Sequence, residues 1–162
     1  QSRLQNILLK NIKLNRADNV LIYQVLISDT DAMVKLNLTP DMNSGSSSIF
    51  YSTKYKNLSE KVLSKRLSDV IKTFNLNTIN LLKIDIEGSE YQAVLGDKKT
   101  FKSNIIKNIA LEIHRKVIKK TGKDVNKVIT FLNECGFVKV EKYNICVQND
   151  ERTILLTKMQ SH

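Results

Sequence analysis

Leu81-Leu-Lys-Ile-Asp-Ile-Glu-Gly-Ser-Glu-Tyr-Gln-Ala-Val-Leu-Gly96 is the stretch that decides how this chain is read. Leu81 to Ile86 is a short apolar run of the kind buried inside a parallel sheet. Asp85 and Glu87 fall at its carboxyl end, Gly88 breaks the strand, and Tyr91, Val94 and Leu95 begin a helical pattern. Ligands of open α/β sheets bind beyond the carboxyl ends of the strands, so acids there are candidates for chemistry. The same spacing suits an acid that merely caps the following helix. On spacing alone the two readings are level.

Upstream, Leu67 to Phe74 reads as a helix entered through a Ser68 or Asp69 cap. Glu60 to Leu67 fits either a strand or a helix. Met33 to Leu38 alternates apolar and polar residues, as a strand with one wet face does. Val20 to Ile27 is a strongly apolar strand, and Ile49 to Tyr51 is a candidate return to strand after the Pro40 to Ser48 loop. Leu4, Ile7, Leu8, Ile12 and Leu14 largely keep helical spacing, which predicts an amphipathic helix over Ser2 to Leu14.

Downstream, Ile105 to Ile113 is an apolar run ending in Ala110-Leu-Glu-Ile-His114. Val125, Val128, Ile129 and Leu132 mark a helix face, with Gly136 where a helix-ending glycine belongs. Phe137 to Glu141 and Thr153 to Thr157 flank a polar turn and predict an antiparallel hairpin. Strands alternating with helices predict a doubly wound α/β domain: a mixed, mostly parallel sheet with helices on both faces.

A length of 162 residues suits one domain with a real core. No run of about 20 apolar residues is present to span a bilayer. Cys135 and Cys146 are too few for a disulfide framework, so a reduced, cytoplasmic setting is the simplest expectation. The net charge of +10 invites a nucleic-acid partner. Its lysines are spread along the chain, Trp is absent and no nucleic-acid motif occurs, which favours solvated lysine faces instead. Such a surface still attracts an acidic substrate.

The Leu81 to Gly96 segment resembles the signature of the FkbM-family methyltransferases. The family pattern runs lysine, apolar, aspartate, apolar, glutamate, glycine, small, glutamate, then a leucine and a glycine. Here it reads Lys83, Asp85, Glu87, Gly88, Ser89, Glu90, Leu95 and Gly96. Leu67-Ser68-Asp69, Leu111-Glu112-Ile113-His114 and Leu132 to Phe137 resemble flanking family segments, as do Leu9 to Asn15, Val25 to Asp29 and Ser44 to Ile49. The resemblance implies a Rossmann-like fold and an S-adenosylmethionine-dependent methyltransferase, mostly acting on oxygen. It also exposes a departure. The family opens with a glycine-rich strand-turn-helix and a strand ending in a ribose-binding acid, whereas no glycine precedes Gly45. With those N-terminal strands absent, residues 1–162 are expected to be a single methyltransferase-like domain and a C-terminal fragment of a longer protein.

That resemblance implies roles. Asp85 faces the sulfonium or the acceptor hydroxyl, and Glu87 orders the turn or contacts substrate. Glu112 ends the neighbouring strand, with His114 two residues on as a candidate base or a plain strand-end histidine. Glu90 reads as a first-turn acid favoured by the helix dipole. Asp85, Glu87 and Glu112 also make an oxygen set for Mg²⁺, although strand-end acids alone do not show a metal. Ser28 and Asp29 would lie near the adenine, or form an ordinary turn. The Asn43 to Ser48 loop closes over the site or simply connects. The expected substrate is a sugar, glycolipid or other small hydroxyl compound. An unfilled sheet edge favours a homodimer. The competing readings are a non-catalytic α/β interaction module and, behind it, a basic nucleic-acid-binding domain.

Overall fold

A computed structural model describes residues 1–39, 47–50, 58–140, 145–146 and 152–159. The chain begins with helix α1 (Ser2–Leu14), set by the apolar spacing noted above. No residue of α1 is buried. The helix is moored at its start, where the Ser2 backbone N–H donates to Glu60 Oε1 at 3.1 Å and Arg3 donates to the Thr39 carbonyl.

Three strands follow: β1 (Leu26–Ile27), β2 (Ala32–Asn37) and β3 (Ser59–Lys65). They form their own sheet in the order β1-β3-β2, with β1 parallel and β2 antiparallel to β3. The Glu60 to Leu67 ambiguity resolves as strand as far as Lys65, because Val62 and Ser64 are buried while Lys61 and Leu63 are exposed, a period of two, and Leu67 already belongs to the next helix. Only the last two residues of the apolar Val20 to Ile27 run pair as strand, and Val20 and Leu21 are exposed.

Helix α2 (Leu67–Thr73) then starts without a side-chain cap of its own. Its cap comes from a distance: buried Asp97 accepts from the Ser68 N–H at 2.6 Å and from the Thr100 hydroxyl at 2.9 Å. Neither Ser68 nor Asp69 caps the helix, contrary to expectation, since Arg66 is the extended N-cap residue.

The second sheet holds β4 (Leu82–Ile84), β5 (Asn108–Ile113), β6 (Phe137–Lys139), β7 (Ile145–Cys146) and β8 (Arg152–Lys158). Its order is β4-β5-β8-β6, with β7 on β8. Helices α3 (Glu90–Leu95) and α4 (Lys98–Lys102) connect the parallel pair β4 and β5. Helices α5 (Arg115–Lys120) and α6 (Asn126–Glu134) follow β5. Ile109, Leu111 and Ile113 of β5 are fully buried, alternating with half-buried Ala110 and Glu112. Each such side chain contributes about 1.5–3 kcal/mol by leaving water, so β5 is the spine of the core. Gly136 follows α6 at φ +84, as its position suggested.

The expected α/β class and C-terminal hairpin are present: β6 and β8 pair antiparallel. A single, mostly parallel sheet is not. Two sheets form, and only β1–β3 and β4–β5 are parallel among the described pairs. A parallel neighbour needs a long crossover, and β4-α3-α4-β5 supplies one. Strand β8 instead enters antiparallel between β5 and β6. No helix of the described residues is long and apolar enough to cross a membrane.

Candidate active site

The β4 strand ends at Ile84 and the chain turns sharply through Ile86, Glu87, Gly88 and Ser89, with the Ser89 N–H donating to the Ile86 carbonyl at 3.2 Å. Glu87 sits at φ +52 and Gly88 at φ +102. The left-handed region costs a non-glycine residue about 1–2 kcal/mol, and backbone strain of this kind gathers at functional sites. Gly88 has a second reason to be glycine: a Cβ there would lie 2.3 Å from Val117 Cγ1.

Glu90 organises the turn. Its side chain is fully buried, and Oε1 accepts from the N–H of Gly88 at 3.1 Å and of Ile86 at 3.3 Å. The same Oε1 lies 2.9 Å from Nδ1 of His114, which is 4% exposed at the end of β5. Oε1 already accepts two backbone protons, so Nδ1 must be the donor to it. His114 Nε2 then lies 3.5 Å from Glu87 Oε2. Ligand-capable atoms of Asp85, Glu87 and His114 all fall within 4.8 Å of one another. The turn after β4 thus brings two acids to one point with the histidine that follows β5.

Lys83 borders this cluster, with Nζ 2.7 Å from Asp85 Oδ2 and 3.9 Å from Glu112 Oε2. Glu112 is therefore tied to Asp85 through Lys83 rather than joined to the cluster itself. The Ser48 hydroxyl donates to the Glu87 carbonyl at 2.8 Å. Of the Asn43 to Ser48 loop, residues 43–46 lie outside the described residues, and Ser48 touches the site.

Asp85, Ile86, Glu87 and Ser89 line one part of a cleft of about 320 Å³. Apolar lining comes from Leu26 and Ile27 of β1, Leu36 of β2 and Val62 of β3, and polar groups from Gln1, Gln5, Tyr23 and Gln24. Ser28 and Asp29 are not among the lining residues. Ser28 is buried, donating to Asp29 Oδ1 at 3.1 Å, and Asp29 packs against Gly96, where a Cβ would come within 2.2 Å of Asp29 Cβ.

Glu90 is the site residue that sequence reasoning undervalued. A first-turn glutamate satisfies the helix dipole whether it faces water or protein, so only the fold reveals that it points inward. The glutamines and Tyr23 around the cleft carried no sequence signal.

Neither a curated protein nor a solved structure matches the chain. The family model described as the methyltransferase FkbM domain matches residues 1–139, which take in the first sheet, the acid-bearing turn and His114. The chain belongs to the FkbM-domain methyltransferase family.

Proposed function

We propose that the chain is the catalytic part of an S-adenosylmethionine-dependent O-methyltransferase acting on a hydroxyl of a sugar, glycolipid or other small metabolite. The observation that carries this reading is the pair Asp85 and Glu87 lining a cleft, with buried His114 behind Glu87, in a chain of a methyltransferase family. The cofactor suits the cleft's chemistry. Leu26, Ile27, Leu36 and Val62 offer apolar contact to a flat base, while Asp85 and Glu87 offer negative charge to a sulfonium. The volume of about 320 Å³ lies at the lower end of the range of roughly 300–1,000 Å³ for ligand sites.

S-adenosylmethionine supplies an electrophilic methyl group when bound. The protein's part is to hold an acceptor hydroxyl in line and to take its proton. Positioning of this kind can supply about 7–11 kcal/mol of a barrier. A placed base adds roughly 10²–10⁴-fold. The hydroxyl proton passes to Asp85 or Glu87 at the cleft, and Glu90, by holding Nδ1 protonated, leaves His114 Nε2 as the nitrogen that can take it on from Glu87. The imidazolium formed there can donate to Glu87.

The test is transfer of a labelled methyl group from S-adenosylmethionine to fractionated sugars, glycolipids and small hydroxyl compounds. A base-stable methyl ether is expected, with transfer abolished in Asp85→Asn. A base-labile ester product, or unchanged turnover in Asp85→Asn, would overturn the assignment.

A further inference from the structure

We infer that Asp85, Glu87 and His114 form a binding site for one divalent cation of the first transition series, with Glu90 as the carboxylate that aims the histidine. Two carboxylate oxygens and one imidazole nitrogen, all within 4.8 Å, can close on a single ion with small rotamer adjustments. Metal–ligand distances of about 2.0–2.2 Å set ligand atoms roughly 3–4.4 Å apart, so the required contraction is modest.

The independent observation is the state of His114. A histidine that ligates a metal donates its other ring N–H to a carboxylate or carbonyl, which fixes the tautomer and the ring plane. His114 has this arrangement: Nδ1 is bonded to fully buried Glu90, and Nε2 points towards Glu87.

The ligand types choose the ion. Carboxylates suit Mg²⁺, Ca²⁺ or Mn²⁺ and imidazole suits Zn²⁺, Fe²⁺ or Ni²⁺, so the mixed set favours a first-row transition ion such as Mn²⁺ or Zn²⁺ over Mg²⁺ or Ca²⁺. The two carboxylates balance the ion's charge. Lys83 opposes binding, because its ammonium lies 2.7 Å from Asp85 Oδ2. Its removal therefore strengthens the site.

The catalytic meaning of the site rests on the methyl-transfer reading, although cation binding does not. With the ion bound, His114 Nε2 is a ligand rather than a proton acceptor. A hydroxyl coordinated to the ion becomes more acidic. Its O–H bond would break with the electron pair staying on oxygen, and the proton would leave to solvent.

Titration of the untagged full chain with Mn²⁺, followed by the electron paramagnetic resonance signal of the free ion, tests this. Only His114 and His162 are histidines, so few competing sites exist. One ion per chain is expected, displaced by Zn²⁺ at lower concentration than by Mg²⁺. Asp85→Asn should weaken binding at least tenfold, Glu90→Gln about 10–100-fold, and Lys83→Met should tighten it several-fold. Asp85 and Lys83 lie at the surface, so those variants keep the fold, which circular dichroism verifies. Absence of saturable binding, or wild-type affinity in Asp85→Asn, would overturn the site. Calorimetry with S-adenosylmethionine in the same protein separates the claims: Mn²⁺ binding that persists where the cofactor does not bind would leave the cation site standing independently of the methyl-transfer reading.

Discussion

Oε1 of Glu90 lies 2.9 Å from Nδ1 of His114, and both side chains are buried. Because the same oxygen accepts from Ile86 and Gly88, one carboxylate fixes both the backbone turn and the imidazole. Glu90→Ala strips acceptors from two backbone donors and a histidine, and should cost roughly 3–5 kcal/mol. Glu90→Gln keeps an acceptor and should cost less, about 1–3 kcal/mol. Urea denaturation measures both, and equal losses would show that the acceptor is not what matters.

Gly88→Ala should be destabilising for two reasons, its φ of +102 and a Cβ placed 2.3 Å from Val117 Cγ1. Val117→Ala in the same chain removes the contact with Cγ1 but leaves Cβ of residue 117 at 2.9 Å and the backbone strain, so it should restore only part of the loss. A double-mutant cycle reads the coupling. Strict additivity would mean that the helix carrying Val117 does not press on the turn.

Gly96 makes the contrasting case. Its φ of −77 is ordinary, yet an added Cβ would meet Asp29 Cβ at 2.2 Å and the Gln92 carbonyl at 2.5 Å. Gly96→Ala should therefore lower stability through crowding alone, on the order of 1–3 kcal/mol. Pairing it with Asp29→Gly should recover only a part, since the Gln92 carbonyl remains. Full recovery would place all the strain on Asp29.

Burial pushes the Cys135 thiol up, and the nearby Lys158 and Lys102 charges offset this only in part. At any pH below its ionisation the thiolate fraction is thus smaller than in an unfolded peptide. Alkylation by iodoacetamide at pH 8 should be slower at Cys135 than in the urea-unfolded chain, beyond the effect of access. The rate-against-pH curve, followed by mass spectrometry of the Cys135 peptide, should be displaced upward. A curve matching that of a free cysteine peptide would contradict this.

Local structure was legible wherever the periodicity of burial matched that of the sequence. Helix α1 spans Ser2–Leu14, as its apolar spacing predicts, and β2 covers all of the alternating Met33 to Leu38 segment except Leu38. Helix α5 was not read, because Arg115–Lys120 buries only Ile118 and has no apolar stripe. The division into two sheets was also hidden. Strand partners are chosen by contacts far apart in sequence, such as Leu26 with Ser64 and Ile109 with Leu156. Asp85, Glu87 and His114 stood out because strand ends converge, whereas Glu112, two residues before His114, reaches the cluster only through Lys83. The burial of Glu90 needed the fold.

The most direct test of the central claim is calorimetric titration of S-adenosylmethionine and S-adenosylhomocysteine into the wild-type chain and Asp85→Asn, with divalent cations chelated. The first ligand carries a sulfonium charge and the second does not, so a carboxylate facing the sulfur distinguishes them. One-to-one binding of both is predicted in the wild type. Asp85→Asn should lose at least tenfold in affinity for the sulfonium, about 1.4 kcal/mol, and much less for the thioether. Equal losses for the two ligands, or undiminished sulfonium affinity in Asp85→Asn, would contradict the placement of Asp85 at the transferred methyl group.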